Sequence, residues 1–321
     1  MVHKGASVKI AIELPTWLGD AVMATPAIEN IVKCYPDCKL ILFGSFLSTQ
    51  LFLEHPNVIQ LIVDKSRKGG NRYLNLYRYA KEIGHVDIAL SFRSSFATKF
   101  LFWFIDAPRK CIYHREKHIE RHQVLRYNDL ADHCFGIHTT AGPLKIYQKE
   151  AAVAKNGRKT VGINPGATYG SAKRWYPQKF AEVAAALSKE YDIVIFGGPG
   201  ETDIAADIEK ELQKENIGNY VNLAGKTTVP ELLEKISKLD LFITGDSGPM
   251  HVAAAFQVPT VALFGPTKEK ETSQWKNPKG SIVKKEMACA PCMKRTCPLK
   301  HHECMKLIEA KDVLSEVSRL A

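Results

Sequence analysis

Apolar residues in this chain fall into two rhythms. Some form short unbroken runs; others return every third or fourth position over longer stretches. The short runs predict buried strands and the longer stretches amphipathic helices. In the first half, strands are predicted over 8–14, 39–43, 58–63, 86–91 and 110–113, with helices over 21–33, 48–54, 72–83, 95–104 and 124–135. In the second half, strands are predicted over 160–164, 192–197, 219–223, 239–244 and 258–264, with helices over 178–190, 202–215, 231–238 and 252–256. Strand and helix alternating this regularly is the α/β pattern of a parallel sheet. Right-handed crossovers then bring the strand-to-helix turns to one edge of each sheet. Between 139 and 157 the pattern lapses into a Gly-Pro and an Ala- and Lys-bearing run. A domain boundary is placed at 148–158, giving domains 1–150 and 158–321, with the last helix expected to pack back on the first domain.

The turns of the second half are rich in small residues. The stretch 244–255, Thr-Gly-Asp-Ser-Gly-Pro-Met-His-Val-Ala-Ala-Ala, reads as strand end, turn and helix. Such a helix start offers backbone N–H groups and a positive dipole end to a phosphate or sugar hydroxyl. Asp246 and His251 add an acceptor and a cation-capable donor. If Asp246 or Ser247 only capped the helix, Gly248 and His251 would be left unexplained. The loop 165–171, followed by Lys173-Arg174-Trp175 and Pro177, has the makings of a phosphate cradle. It lacks the spacing of a P-loop, and its plainer reading is a loop with two surface cations. Glu201 follows a Gly-rich turn and suits either a ribose diol or the first turn of a helix. The turn 224–228 completes the set. In the first half, Asp20 sits just after the first strand, where base and helix cap are equally good readings. No GxGxxG follows that strand, so nothing supports a dinucleotide fingerprint.

Composition narrows the class. A net charge of +10 and a pI near 9.1 suit an anionic partner such as nucleic acid, a membrane surface or phosphorylated small molecules. Part of the excess lies between Lys99 and Arg126, at Arg109, Lys110, Arg115, Lys117 and Arg121. Phe100, Phe102, Trp103 and Phe104 lie beside it, and either a membrane-surface contact or a core-facing helix accounts for them. No stretch reaches the roughly twenty apolar residues of a membrane span. The start, Met1 to Gly5, has no signal-type apolar region, so the protein is expected in the cytosol. The eight cysteines are then expected as thiols or metal ligands. Cys289, Cys292, Cys297 and Cys304 lie close in sequence and suit a structural zinc, with His301 or His302 able to replace a thiol. Their spacing is irregular, and reduced thiols in a loop are the competing reading. Cys34, Cys38, Cys111 and Cys134 are read as ordinary.

Together, Trp17-Leu18-Gly19-Asp20, Asn164-Pro165-Gly166-Ala167 with Lys173-Arg174-Trp175, and Gly245-Asp246-Ser247-Gly248-Pro249-Met250-His251 resemble the ADP-heptose:lipopolysaccharide heptosyltransferases. Residues 107–113 and the Cys289-Ala290-Pro291-Cys292 region add to the likeness, which runs over nearly the whole chain and is greatest to the members adding the second heptose. The resemblance implies a GT-B fold, two Rossmann-like domains facing across a cleft. It also implies an inverting transfer of L-glycero-D-manno-heptose from ADP-heptose to heptose I of the inner core on lipid A. By motif match, Asp20 is the base. Thr168 and Lys173 hold the diphosphate, with Lys173 also aiding catalysis, and Glu201 holds the ribose. Asp246, Ser247, Gly248 and His251 meet diphosphate and heptose, and Thr228 lies by the adenine. Arg93 and Arg109 are candidates for the acceptor. Family members with Thr-Thr in the cradle differ from this chain, which has Thr168-Tyr169. No cofactor is implied for catalysis, since no DxD motif stands at a strand end. The protein would be cytoplasmic, touching the inner membrane at most peripherally. The competing readings are another GT-B enzyme with a different nucleotide sugar or acceptor, an epimerase among them, and a basic nucleic-acid-binding protein. The last lacks any aromatic-basic RNA motif.

Overall fold

The apolar runs predicted as strands become strands, and the turns after these strands set the positions of the polar residues discussed below. The computed structural model describes residues 7–114, 119–148 and 157–320. The chain divides into two compact units, Met1–Lys149 and Glu150–Ala321. Arg115 and Lys117 of the basic segment, the start Met1 to Gly5 and most of the boundary stretch lie outside the described residues.

Among the described residues, the first unit carries strands β1 (Lys9–Glu13), β2 (Lys39–Gly44), β3 (Val58–Val63), β4 (Ile88–Ser91) and β5 (Arg109–Ile112). They form one parallel sheet in the order β3-β2-β1-β4-β5. Its helices are α1 (Leu18–Met23), α2 (Thr25–Cys34), α3 (Phe46–Thr49), α4 (Arg72–Ile83), α5 (Phe96–Phe104) and α6 (Gln123–Phe135). Leu76, Ala80 and Ile83 of α4 and Ala97, Leu101 and Phe102 of α5 bury against Ala11, Ile41, Phe43 and Ala89 of the sheet. The helix expected over 21–33 is in fact two helices meeting at Ala24. Pro26 is the cause: it has no N–H to give the carbonyl one turn back. That carbonyl, on Val22, accepts instead from the Thr25 hydroxyl at 2.8 Å.

The second unit carries β6 (Lys159–Asn164), β7 (Tyr191–Ile195), β8 (Tyr220–Asn222), β9 (Leu241–Gly245), β10 (Thr260–Leu263) and β11 (Gly280–Val283), also all parallel. Their order is β11-β10-β9-β6-β7-β8. The helices are α7 (Pro177–Leu187), α8 (Thr202–Lys214), α9 (Val229–Ser237), α10 (Gly248–Ala255), α11 (Glu269–Thr272), α12 (Glu303–Lys306) and α13 (Ala310–Leu320). The last of these packs on α7 and β11 of its own unit, burying Ala310, Val313 and Val317 there. Both sheets are doubly wound, and in each the strand order reverses once: between β1 and β4, and between β6 and β9. Ligands of such sheets bind at the carboxyl ends of the strands flanking that reversal.

One cysteine reading is corrected. Cys111 of β5 and Cys134 of α6 form a disulfide, with Cα atoms 5.8 Å apart. They are 23 residues apart in sequence, and only the packing of α6 on β5 brings them together. Among the described residues, no helix is long and apolar enough to cross a membrane.

Candidate functional site

In the second unit the polar residues gather at the strand reversal. Asn164 ends β6, and its amide donates to the hydroxyls of Thr244 and Ser247, both at 3.2 Å. This ties the ends of β6 and β9 together. Ser247 stands at the N-cap position of α10 but makes no side-chain cap bond, so a cap alone does not explain the turn. Asp246 is buried, and its carboxylate takes the Lys173 ammonium at 2.6 Å and the Thr267 hydroxyl at 2.6 Å. The same ammonium reaches the Asp246 carbonyl at 3.2 Å and lies 4.7 Å from the centre of the Tyr169 ring. Lys173 thus spans from the loop after β6 to the loop after β9, beside the positive end of α10. Gly248 opens that helix, and His251 is buried one turn in. A cation, a helix N-terminus and exposed Thr168 on one sheet edge form a setting for a diphosphate.

Glu201 is buried at the start of α8 and accepts the Gly198 N–H at 2.7 Å. It also closes over Gly166, where a Cβ would come within 2.0 Å of its carboxyl carbon. Only glycine fits there, so the two Gly-bearing loops interlock through this carboxylate. Thr228 is exposed and caps α9: its N–H and hydroxyl both donate to Glu231, at 2.8 and 2.9 Å. That is a reciprocal capping box, a structural task that sequence spacing had left open.

The cysteine segment turns out to be a brace for the cradle. The Ala172 N–H donates to the Arg295 carbonyl at 3.0 Å, and the Tyr169 hydroxyl to the Met293 carbonyl at 2.8 Å. His302 meets the Ala172 carbonyl at 2.9 Å through Nε2 and the Tyr176 hydroxyl at 3.1 Å through Nδ1. Burial, then the neighbouring thiols Cys289, Cys292 and Cys297, push the Cys304 thiol above its ordinary value. Among the described residues, no three His, Cys, Asp or Glu side chains are placed to hold a metal ion. The zinc expected at Cys289, Cys292, Cys297 and Cys304 therefore finds no ready ligand set.

In the first unit Asp20 lies in the first turn of α1, half-buried, at the carboxyl edge of the sheet. Beside the strand reversal, Glu13 ends β1 and is buried. It takes Arg93 at 3.1 Å, the Ser91 hydroxyl at 2.6 Å and the Thr98 hydroxyl at 3.3 Å. Burial pushes its carboxyl above the ordinary value against the pull of Arg93. Arg93, named for the acceptor, is thus held by a buried carboxylate. Arg109 stands at the opposite edge. It opens β5, level with Ile88, and donates to the Cys134 carbonyl at 3.0 Å. A cation there satisfies a carbonyl and the dipole of the α6 C-terminus, so the structure does not bring Arg109 together with Arg93 and Asp20. Thr267 and Glu13 were not legible as site residues in the sequence, and Asn164 was legible only as part of a motif. A signal existed for Thr267, since Gly265-Pro266-Thr267 is a fifth small-residue turn after a strand.

The profile described as Glycosyltransferase family 9 (heptosyltransferase) matches residues 78–303. A lipooligosaccharide heptosyltransferase 2 of Campylobacter jejuni is 41% identical over 98% of this chain and 99% of its own length. Among solved structures, a family 9 glycosyl transferase from Veillonella parvula aligns with a TM-score of 0.81 at 24% identity, covering 98% of this chain and 97% of the other. The Escherichia coli ADP-heptose LPS heptosyltransferase II aligns with a TM-score of 0.78 at 23% identity, covering 97% and 98%. The two parallel-sheet units are accordingly the Rossmann-like domains of a GT-B fold. With its profile spanning most of the sequence and a relative this similar over its full length, the chain belongs to glycosyltransferase family 9, the heptosyltransferases.

Proposed function

We propose that this protein transfers heptose from ADP-heptose to the first heptose of a lipid A-linked inner core. The observation that carries the donor side is Lys173, held between the loops after β6 and β9 beside the N-terminus of α10. In one inverting displacement, Asp20 takes the proton of an acceptor hydroxyl as that oxygen attacks the anomeric carbon, and ADP departs from the opposite face. The transition state carries oxocarbenium character. ADP leaves without protonation, so a single carboxylate suffices. Lys173 and the helix N-terminus stabilise the charge growing on the diphosphate, a contribution that is commonly large in such sites. Glu201 meets the ribose, and His251 and Asp246 face the sugar end.

Purified protein incubated with ADP-heptose and with cores truncated before or after the first heptose, read by mass spectrometry, tests this. A gain of one heptose only on the core already bearing heptose I is expected. Gain on the heptose-free core, or none on either, overturns it.

A further inference from the structure

The first unit presents an aromatic face that its core does not use. Of the apolar run in α5, Leu101 and Phe102 point into the core, while Trp103 is 81% exposed and Phe96 70%. Phe100 and Phe104 lie between them, half-buried, and meet the tyrosines of α4. Tyr73 stacks edge-on to Phe96 and Phe100 with centroids 5.9 and 4.9 Å apart, and Tyr77 to Phe104 at 5.1 Å. Leu74 is exposed on the same helix. The result is a continuous aromatic strip along two packed helices, where a lone exposed ring would need no explanation.

The charges beside this strip are mostly basic, with Asp106 exposed just beyond the end of α5. Helices α4 and α5 carry Arg72, Arg78, Lys81 and Lys99 against a single carboxylate, Glu82. Lys81 lies 5.4 Å from the centre of the Tyr77 ring. The loop entering α4 adds exposed Lys65, Arg67 and Lys68, and Lys110 stands exposed beyond α5. Both helices begin at the carboxyl edge of the sheet, the edge that also carries Asp20.

We propose that the α4–α5 face docks this domain on an anionic lipid bilayer. Trp103, Phe96 and Leu74 enter the interfacial layer, and the flanking Lys and Arg side chains meet lipid phosphates. Amphipathic rings with basic neighbours suit that boundary, where apolar burial and attraction to anionic headgroups add. The mixture also argues against a protein partner of ordinary surface composition, for lysine is depleted in protein interfaces. The proposal gives the lipid-linked acceptor of the preceding section a reason to be reached at the carboxyl edge. It rests on that reading for its purpose only, because bilayer binding is measured without donor or acceptor.

Sedimentation with vesicles of phosphatidylcholine alone, or with about one third phosphatidylglycerol, tests it on the full chain. Binding is expected only to the anionic vesicles and should fall steeply between low and 0.5 M salt. Arg78→Glu with Lys99→Glu, and separately Phe96→Ser with Trp103→Ser, are each expected to lower the partition coefficient at least about tenfold. Circular dichroism and transfer to a delipidated acceptor should stay at wild-type levels. Wild-type protein that ignores anionic vesicles, or variants that bind them as well as wild type, would overturn the proposal. So would a dimer in light scattering that the Trp103 variant dissolves, because the face would then be an interface between copies.

Discussion

Asp20 and Lys173 respond to substitution in different ways because one is half-exposed and the other is half of a buried pair. Asp20→Asn keeps shape and removes the proposed base. Turnover should fall about 10²–10⁴-fold with ADP-heptose affinity nearly unchanged, as steady-state kinetics and calorimetry would show; a loss of only a few fold leaves Asp20 as a first-turn carboxylate favoured by the dipole of α1. Lys173→Ala takes the ammonium from a carboxylate that is 5% exposed. Removing one partner of a buried pair costs about 3–5 kcal/mol of stability. Adding Asp246→Ala should restore part of that loss in urea unfolding, while ADP binding stays impaired in both variants. Equal losses in the single and double variants would deny the coupling. Glu13 gives a pH signature. Burial raises its carboxyl above the ordinary value. The unfolded group titrates near 4.3, so between that pH and the raised value the folded state holds the extra proton. The contribution of Glu13 is therefore full below about pH 4.3 and is lost as pH rises through the raised value. Unfolding free energies of wild type and Glu13→Gln, compared from pH 4 to 8, should show the wild-type term shrinking with rising pH; a growing term would mean that Arg93 outweighs burial.

Secondary elements were legible where local chemistry dictated them. The helix predicted over 72–83 is α4 to the residue, because Asn71 caps it through its side chain and Gly84 ends it at positive φ. The turn after β9 was legible from its small residues, although α10 begins at Gly248, with Pro249 in its first turn, and not at 252 as predicted. Pro26, which divides the helix predicted over 21–33 into α1 and α2, is legible by the same physics, since a helix-interior proline lacks the N–H that the ladder needs. The strand β11 was not legible: Gly280-Ser281-Ile282-Val283 is too short to announce itself, and only pairing with β10 makes it a strand. The bracing role of the cysteine segment was not legible because it lies in main-chain carbonyls, those of Met293 and Arg295, which no side-chain pattern encodes. That brace has a measurable consequence. Tyr169→Phe removes the hydroxyl that reaches Met293 and leaves the ring under Lys173 in place. One hydrogen bond of this kind is worth about 0.5–1.5 kcal/mol, so ADP affinity should fall roughly twofold to tenfold. An unchanged titration would show that the cradle holds its shape without the cysteine segment.

At the scale of the whole molecule, two doubly wound sheets each reverse strand order once, and each reversal carries a different chemistry. Between β6 and β9 lie Lys173, Asp246 and the start of α10; beside β1 and β4 lie Glu13 and Arg93, with Asp20 one turn further on. The units have separate cores, so each can open without the other. A ligand raises the stability only of what it binds, by about 2.7 kcal/mol at a hundredfold excess over its dissociation constant. Hydrogen exchange read by mass spectrometry with saturating ADP should therefore slow in the peptides spanning 164–175, 197–203 and 244–252. The peptides covering 9–24 and 88–98 should exchange as in the free protein. Protection of equal size around Asp20 with ADP alone would mean that the nucleotide is gripped by both units, and the division of donor and acceptor between the two reversals would fail. With ADP and a heptose-bearing core added together, slowing should extend to residues 13–24, because the acceptor hydroxyl must then lie within hydrogen-bond reach of the Asp20 carboxylate.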